Sequence, residues 1–350
     1  MSWVTDLARP EIRALHAYQH AAWEPQLTRM HANELPWRVS GDASAAGLNR
    51  YPEPQPPALV DGLAQLYGVP REQLLVGRGS DEAIDLLVRV FCRAQQDKVI
   101  VCPPTFGMYS VAARIQGADV IPVNLDAARG FALDVPGILA NVDDYTRLVF
   151  VCSPNNPTGN LLDSAELLEL ARNLAPRALL VVDEAYIEFS GAASLATHIT
   201  AQPNLAILRT LSKSHGLAGA RCGALLAAAD VIALARKVIP PYAITELTVE
   251  AVAPLLTPAG IAAMHERLEI LSEERAHLAR ALAASPLISR VWPSDANFLL
   301  VDSPAADEVL GRVRDVGLII RDVRQPLLPQ SLRISVGTPE QNELLLGSLS

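Results

Sequence analysis

The sequence has no excess of positive charge. Its 350 residues carry 29 Lys and Arg against 38 Asp and Glu, a formal net charge of −9. No stretch forms a basic stripe able to neutralise a row of phosphates, which argues against a nucleic-acid partner and against docking on an acidic membrane surface. Long apolar runs are also missing: none approaches the roughly 18 residues that cross a bilayer. The opening MSWVTDLARPEIR lacks a basic segment followed by an apolar one, so no secretory signal is expected. Cysteine is scarce. Cys92, Cys102, Cys152 and Cys222 lie far apart in apolar runs and form no C-x-x-C, as expected of reduced core thiols in a cytoplasm. His16 and His20 stand four apart, but neither the glutamate of H-E-x-x-H nor a third ligand accompanies them, so no metal is expected. No internal repeat or low-complexity tract interrupts the chain.

Apolar patterning is plentiful. Half the residues are hydrophobic, and the length suits about two domains. From about Arg71 to Ala228, short apolar runs alternate with segments of helical period. The run QLLVGRGSDEAIDLLVRVFCRA contains a helix whose apolar face is Ile84, Leu87, Val88 and Phe91, at i, i+3, i+4, i+7 spacing. Strands are expected at 98–102, 118–123, 147–152, 178–183, 205–209 and 222–227, with helices at 105–116 and 163–174. Continuous apolar strands alternating with helices indicate an α/β domain with a mostly parallel sheet covered on both faces. In such sheets ligands bind beyond the carboxyl ends of the strands. The stretch RVSGDASAAGLNRYPEPQPP reads as an irregular crossing segment, and a long helix is expected in GIAAMHERLEILSEERAHLARALAAS. Strand-like NFLLV, GLIIRDV and LRISVG follow it. The expected division is a large domain over 46–245 and a smaller α+β domain built from 1–45 and 246–350.

Four polar clusters follow expected strands. In VGRGSDEAI, Gly79 and Ser80 open a helix whose free N–H groups can cup an anion, although Ser80 could equally be a plain N-cap. In VCSPNNPTGN, Asn155 and Asn156 are held between Pro154 and Pro157. That stiffness suits either a tight turn or an amide aimed at a ligand. In LLVVDEAYIEF, Asp183 ends an apolar strand, where a carboxylate needs a partner such as a cationic ring nitrogen or a structural salt bridge. In TLSKSHGLAGARCG, Lys213 follows a strand, and Arg221 lies eight residues later. A partly desolvated lysine there can attack an aldehyde, with Ser212 and Arg221 holding an anion nearby; an exposed surface lysine is the plainer alternative. Taken together, a nucleophilic lysine, a buried aspartate, a rigid amide and an anion cup describe one ligand, pyridoxal 5'-phosphate.

The blocks NRYPEPQ, GRGSDE, CPPTFGMYSV, CSPNNPTG, VVDEAYIEF, RTLSKSHGLAGARCG and LRISVG resemble, in order, those of the fold-type I pyridoxal-phosphate aminotransferases. The resemblance runs from about Leu7 to the C-terminus and is greatest to the histidinol-phosphate branch, although threonine-phosphate decarboxylases and aromatic-amino-acid aminotransferases share much of it. It implies an aspartate aminotransferase-like fold with a seven-stranded sheet. The implied reaction is transamination between L-histidinol phosphate and 2-oxoglutarate in histidine biosynthesis.

By the same resemblance, Lys213 binds the cofactor aldehyde and Asp183 pairs with its ring nitrogen, while Asn156 and Tyr186 bond the ring oxygen. The backbone amides of Ser80 and Asp81, with Ser212 and Arg221, take the phosphate, and Phe106 stacks on the ring in a place where relatives carry Tyr. Tyr51 reaches the phosphate of a second copy, which implies a homodimer. Arg333 and Arg321 bind substrate anions, and Tyr18 and Asn33 help hold the substrate. His215 and Gly216 depart from the more apolar residues expected beside the lysine. A non-catalytic cofactor-binding regulator is a further reading, but no basic helix-turn-helix extension supports it.

Overall fold

The computed structural model describes residues 2–21, 24 and 26–350. Seven strands form the main sheet: β1 (Leu74–Gly77), β2 (Lys98–Val101), β3 (Asp119–Pro122), β4 (Thr146–Cys152), β5 (Leu179–Asp183), β6 (Leu205–Thr210) and β7 (Gly223–Leu226). Their order is β1-β7-β6-β5-β4-β2-β3. All neighbours are parallel except β7, which runs against both β1 and β6. Six of these strands coincide with the expected apolar runs. The seventh, β1, merges in sequence with the helix after it. Gly77 and Gly79 separate the two through a tight turn, with Gly79 N–H donating to Gly77 O at 2.9 Å.

The continuous apolar character of the strands reflects burial on both faces. In β5, Leu180 and Val182 point into one core while Leu179 and Val181 point into the other, the two-residue alternation of a pleated strand. Ahead of the sheet lie α1 (Pro10–Ala14) and α2 (Pro57–Tyr67). Between its strands lie α3 (Ser80–Phe91), α4 (Met108–Gln116), α5 (Val135–Ala140) and α6 (Ser164–Leu174), followed by α7 (Ala229–Ala235). The first core takes in α2 and α6, and the second α3, α4 and α7. Ile84, Leu87, Val88 and Phe91 of α3 are all buried in the second, as their spacing predicts.

Beyond α8 (Glu246–Val252), the long α9 (Pro258–Ala283) leads to an antiparallel sheet of β8 (Arg290–Val291), β9 (Phe298–Asp302), β10 (Arg321–Asp322) and β11 (Ser331–Ser335). Leu278 and Leu282 of α9 pack there with Leu299, Val301, Leu332 and Ile334 in a core of their own. The chain start differs from expectation. The turn Trp3–Leu7 lies on the large sheet's helical layer, with Val4 and Ala8 in the α3 and α7 core. Two local boundaries also shift. The helix expected from 105 begins at Met108 with Gly107 as its N-cap; ahead of it the Thr105 hydroxyl donates to Asn155 Oδ1 at 2.8 Å. The strand expected in GLIIRDV is only Arg321–Asp322, ended where the Asp322 carboxylate accepts from the Arg324 backbone at 3.0 Å. No single helix among the described residues is long and apolar enough to cross a membrane.

Gly223 locks β7 between its neighbours. It pairs with Gly77 on one side and Thr210 on the other, and a Cβ there would come within 2.7 Å of backbone atoms of both Arg209 and Gly79. Gly223→Ala is expected to destabilise the protein by about 1–3 kcal/mol, as overpacking does, which thermal unfolding of the variant measures.

Candidate active site

A cavity of about 820 Å³ opens at the carboxyl ends of β4, β5 and β6. The motif residues converge there because each follows an apolar strand: Asn156 after β4, Asp183 at the last position of β5, and Lys213 after β6. All the candidate site residues line this cavity except Tyr18, Asn33 and Tyr51.

One end of the cavity is built for an anion. The N-cap of α3 is Gly79, at φ 86°, and not Ser80; no side chain caps the helix, so the first amides, including those of Ser80 and Asp81, point outward unsatisfied by a side chain. Opposite them, Arg221 adopts left-handed backbone angles (φ 51°). Its guanidinium donates to Ser212 Oγ at 3.4 Å, Ala218 O at 3.1 Å and Asp81 Oδ2 at 3.2 Å. The φ of 86° at Gly79 is left-handed backbone that favours glycine, and it leaves Arg221 Nη2 room to within 2.8 Å of where a Cβ would stand.

The other end carries a buried acid. Asp183 Oδ2 accepts from the Tyr109 hydroxyl at 2.7 Å and Oδ1 from Ala185 N–H at 3.0 Å. Burial pushes its pKa up to about 6, against the opposing pull of these two donors. A buried carboxylate that no cation contacts among the described residues is the environment that a protonated ring nitrogen would neutralise. Between the two ends stands Lys213, with Nζ 5.6 Å from the centre of the Tyr186 ring. Its side chain opens into the cavity. Burial by the cavity walls and the charge of Arg333 lower its pKa, outweighing the pull of Asp81 and Asp183.

Asn156 joins two groups. Its Nδ2 donates to the Tyr186 hydroxyl at 3.5 Å, and its Oδ1 accepts from Arg333. Asn155 instead is a buried anchor, bonded to Thr105, Pro104 O and Thr158. Phe106 lies edge-on to Tyr109, with ring centres 5.6 Å apart. On the opposite wall, Arg333 of β11 faces Arg321 of β10 as its register partner. Among the described residues, the nearby carboxylates of Asp307 and Asp322 pair with Arg324 instead. The two guanidiniums therefore face the cavity with no carboxylate among the described residues in an ion pair with either. The residues present thus fit pyridoxal 5'-phosphate, with an anion cup, a buried acid and an amine between them.

Tyr18, Asn33 and Tyr51 are exposed in a single chain. Tyr51 stacks on Tyr242 at 4.5 Å, Tyr242 meets His20, and His20 meets Tyr18. Tyr51 borders a separate cavity of about 530 Å³. Tyr109, which stands in CPPTFGMYSV, is the functional candidate to which the sequence assigns no role. Its signal is a phenol one turn after Phe106, on the buried face of α4 with Ala112 and Ala113. His215 is buried beside Ser214, its Nδ1 2.9 Å from Ser214 Oγ.

The Asp183 shift has a measurable sign. Its carboxyl holds a proton to higher pH in the folded protein (about 6) than its ordinary 3.8. Stability of the ligand-free protein is therefore full below the lower value and declines as pH rises through the higher. Asp183→Asn is expected to leave ligand-free stability near pH 4 almost unchanged and to raise it above pH 7 by on the order of 3 kcal/mol. Urea unfolding at the two pH values checks this.

Residues 26–349 match the family described as aminotransferase class I and II. The histidinol-phosphate aminotransferase of Stenotrophomonas maltophilia is 44% identical over 353 residues, covering 99% of this chain and 96% of that protein. That of Escherichia coli is 44% identical over 359 residues, covering 99% and 97%. Among solved structures, the histidinol-phosphate aminotransferase of Sinorhizobium meliloti in complex with pyridoxal-5'-phosphate aligns with a TM-score of 0.79 at 26% identity, covering 86% of this chain and 82% of that one. The fold is the aspartate aminotransferase-like fold type I, the cofactor it serves is pyridoxal 5'-phosphate, and the chain belongs to the class I and II aminotransferases.

Proposed function

We propose that the protein transfers the amino group of L-histidinol phosphate to 2-oxoglutarate, giving 3-(imidazol-4-yl)-2-oxopropyl phosphate and L-glutamate, as a cytoplasmic step of histidine biosynthesis. The observation that carries this reading is 44% identity to histidinol-phosphate aminotransferases over 99% of the chain. The two cavity arginines, neither in an ion pair among the described residues, agree with it. Arginine forks bind phosphate and carboxylate alike, so Arg321 and Arg333 can serve a phosphorylated donor and a dicarboxylic acceptor in turn.

Pyridoxal 5'-phosphate, when bound, supplies an aldehyde that joins amines and a ring that takes up the electrons of a broken Cα–H bond. The first turn of α3, with Ser212 and Arg221, would hold its phosphate. Asp183 would hold the ring nitrogen, Asn156 and Tyr186 the ring oxygen, and Phe106 one ring face. Lys213 would be the amine that meets the aldehyde, and its side chain would serve as the general base for the substrate Cα proton. Its lowered pKa increases the share of neutral amine available for that task. Tyr109 keeps the Asp183 carboxylate aimed.

The site is completed by a second copy of the chain. Tyr18, Met30, Trp37 and Tyr51 are large side chains exposed to solvent, of the kind that a protein partner covers. Tyr51 then reaches the partner's phosphate cup, and Tyr18 and Asn33 border the substrate.

Borohydride reduction of the cofactor-loaded protein is expected to tag Lys213, and Lys213→Ala to lose both the tag and the visible absorbance of the lysine-linked cofactor. A label elsewhere, or none, contradicts the assignment. In a donor screen, histidinol phosphate is expected to outpace phenylalanine, tyrosine and threonine phosphate; release of carbon dioxide from threonine phosphate would replace this reading with a decarboxylase. Arg333→Ala is expected to raise KM for both donor and acceptor, and unchanged kinetics would remove that arginine from the site.

A further inference from the structure

The cofactor-facing groups lie on two separate segments. Asp183 and Tyr186 sit where β5 gives way to a short turn, and Lys213 sits three residues beyond β6. The strands themselves are in register only as far as Asp183 opposite Leu208. Past that point, one more backbone bond joins the segments, Glu184 N–H to Leu208 O at 3.0 Å. What fixes the two segments relative to each other is therefore mainly a matter of side chains.

Arg209 is the side chain placed to do so. It lies at the end of β6, four residues before Lys213, and is 6% exposed. Its Nη2 donates to Glu188 Oε1 at 2.6 Å and its Nη1 to Glu184 Oε2 at 3.5 Å. Glu184 directly follows Asp183, and Glu188 stands two residues past Tyr186, so one guanidinium grips both ends of the turn that carries Asp183 and Tyr186. Glu184 is fixed in its own right by Ser194 Oγ at 2.5 Å and Leu195 N–H at 2.8 Å. The guanidinium also lies 4.4 Å from the centre of the Tyr67 ring, which walls it in from the α2 side.

This cluster is poorly suited to stabilising the fold for its own sake. Arg209 Nε, Glu188 Oε2 and the Tyr67 hydroxyl are buried with no side-chain or backbone partner among the described residues. A buried ion network with unmet hydrogen-bonding capacity pays heavily in desolvation, and apolar replacement of such networks is often neutral or favourable. Its directional bonds instead define geometry. We infer that Arg209 is a positioning residue which, through Glu184 and Glu188, holds the Asp183–Tyr186 turn against the Lys213 segment and so sets the separation of the amine from the buried acid. This rests on the aminotransferase reading of the site. None of the three residues touches the cavity, so their effect on its chemistry is indirect.

The test uses cofactor-loaded protein in three forms: the parent, Arg209→Lys, and the charge-free combination Arg209→Met, Glu184→Gln, Glu188→Gln. Thermal unfolding, borohydride tagging of Lys213, the pH midpoint of the lysine-linked cofactor's absorbance, and kcat and KM are measured for each. The charge-free form is expected to unfold near the parent temperature and still be tagged, yet to show a moved absorbance midpoint. Its kcat is expected to fall about 10- to 100-fold, the size that misplacement of reacting groups produces, with KM changed less than about 3-fold. Arg209→Lys keeps the charge but offers one point donor in place of a fork, and is expected to fall between the two. A charge-free or lysine form with parental midpoint and kcat overturns the inference, and so does a lowered unfolding temperature with both of those unchanged. A parent not tagged at Lys213 would instead sink the aminotransferase reading itself, which separates the two failures.

Discussion

The site is organised around one unfavourable placement, a carboxylate at the end of the central strand β5, buried and, among the described residues, without a cation in contact. A carboxylate in that position resists ionising until a positive partner arrives. The fold invests in keeping it there nonetheless: a phenol from α4 and a backbone amide of the following turn both donate to it. Its demand for positive charge gives the cavity a polarity, with acid at one end, an anion cup at the other, and an amine between them.

Sheet topology supplies the rest. Parallel strands β4, β5 and β6 release their chains on the same edge, so residues distant in sequence meet without any element having to bend out of its way. Between β6 and the antiparallel β7 the chain passes through the left-handed Arg221, whose guanidinium lies against the first turn of α3. Glycine at positions 79 and 223 lets helix, strand and guanidinium approach closely. The left-handed turn at Gly79 and the backbone crowding at Gly223 thus both call for glycine, at the phosphate cup and in the strand behind it.

Much of this was legible in the sequence because each reactive side chain interrupts an apolar run. Asp183 ends LLVV and Lys213 follows LAILRT, so their positions at strand ends could be read directly. Tyr109 could not, because a tyrosine on the buried face of a helix reads as core, and its partner lies 74 residues away. Strand β1 was hidden by its short glycine-rich link to α3, which leaves no compositional gap. The destination of the N-terminal turn was hidden as well, since Val4 and Ala8 fit either core by composition and only tertiary packing chooses. Arg209 belongs to the same class: as the last letters of LAILR it marks a strand end, and nothing local shows the two glutamates that it meets.

The two-residue strand β10 has a consequence of its own. It is held to β11 by a minimal ladder in which the facing side chains, Arg321 and Arg333, carry the same charge, and like charges set opposite each other weaken a strand pair. An anion lodged between them removes that repulsion and so favours the paired edge. Occupancy of the cleft and order at this margin of the small sheet are then one linked equilibrium, and a bound phosphate or carboxylate acts as a structural ion as well as a reactant.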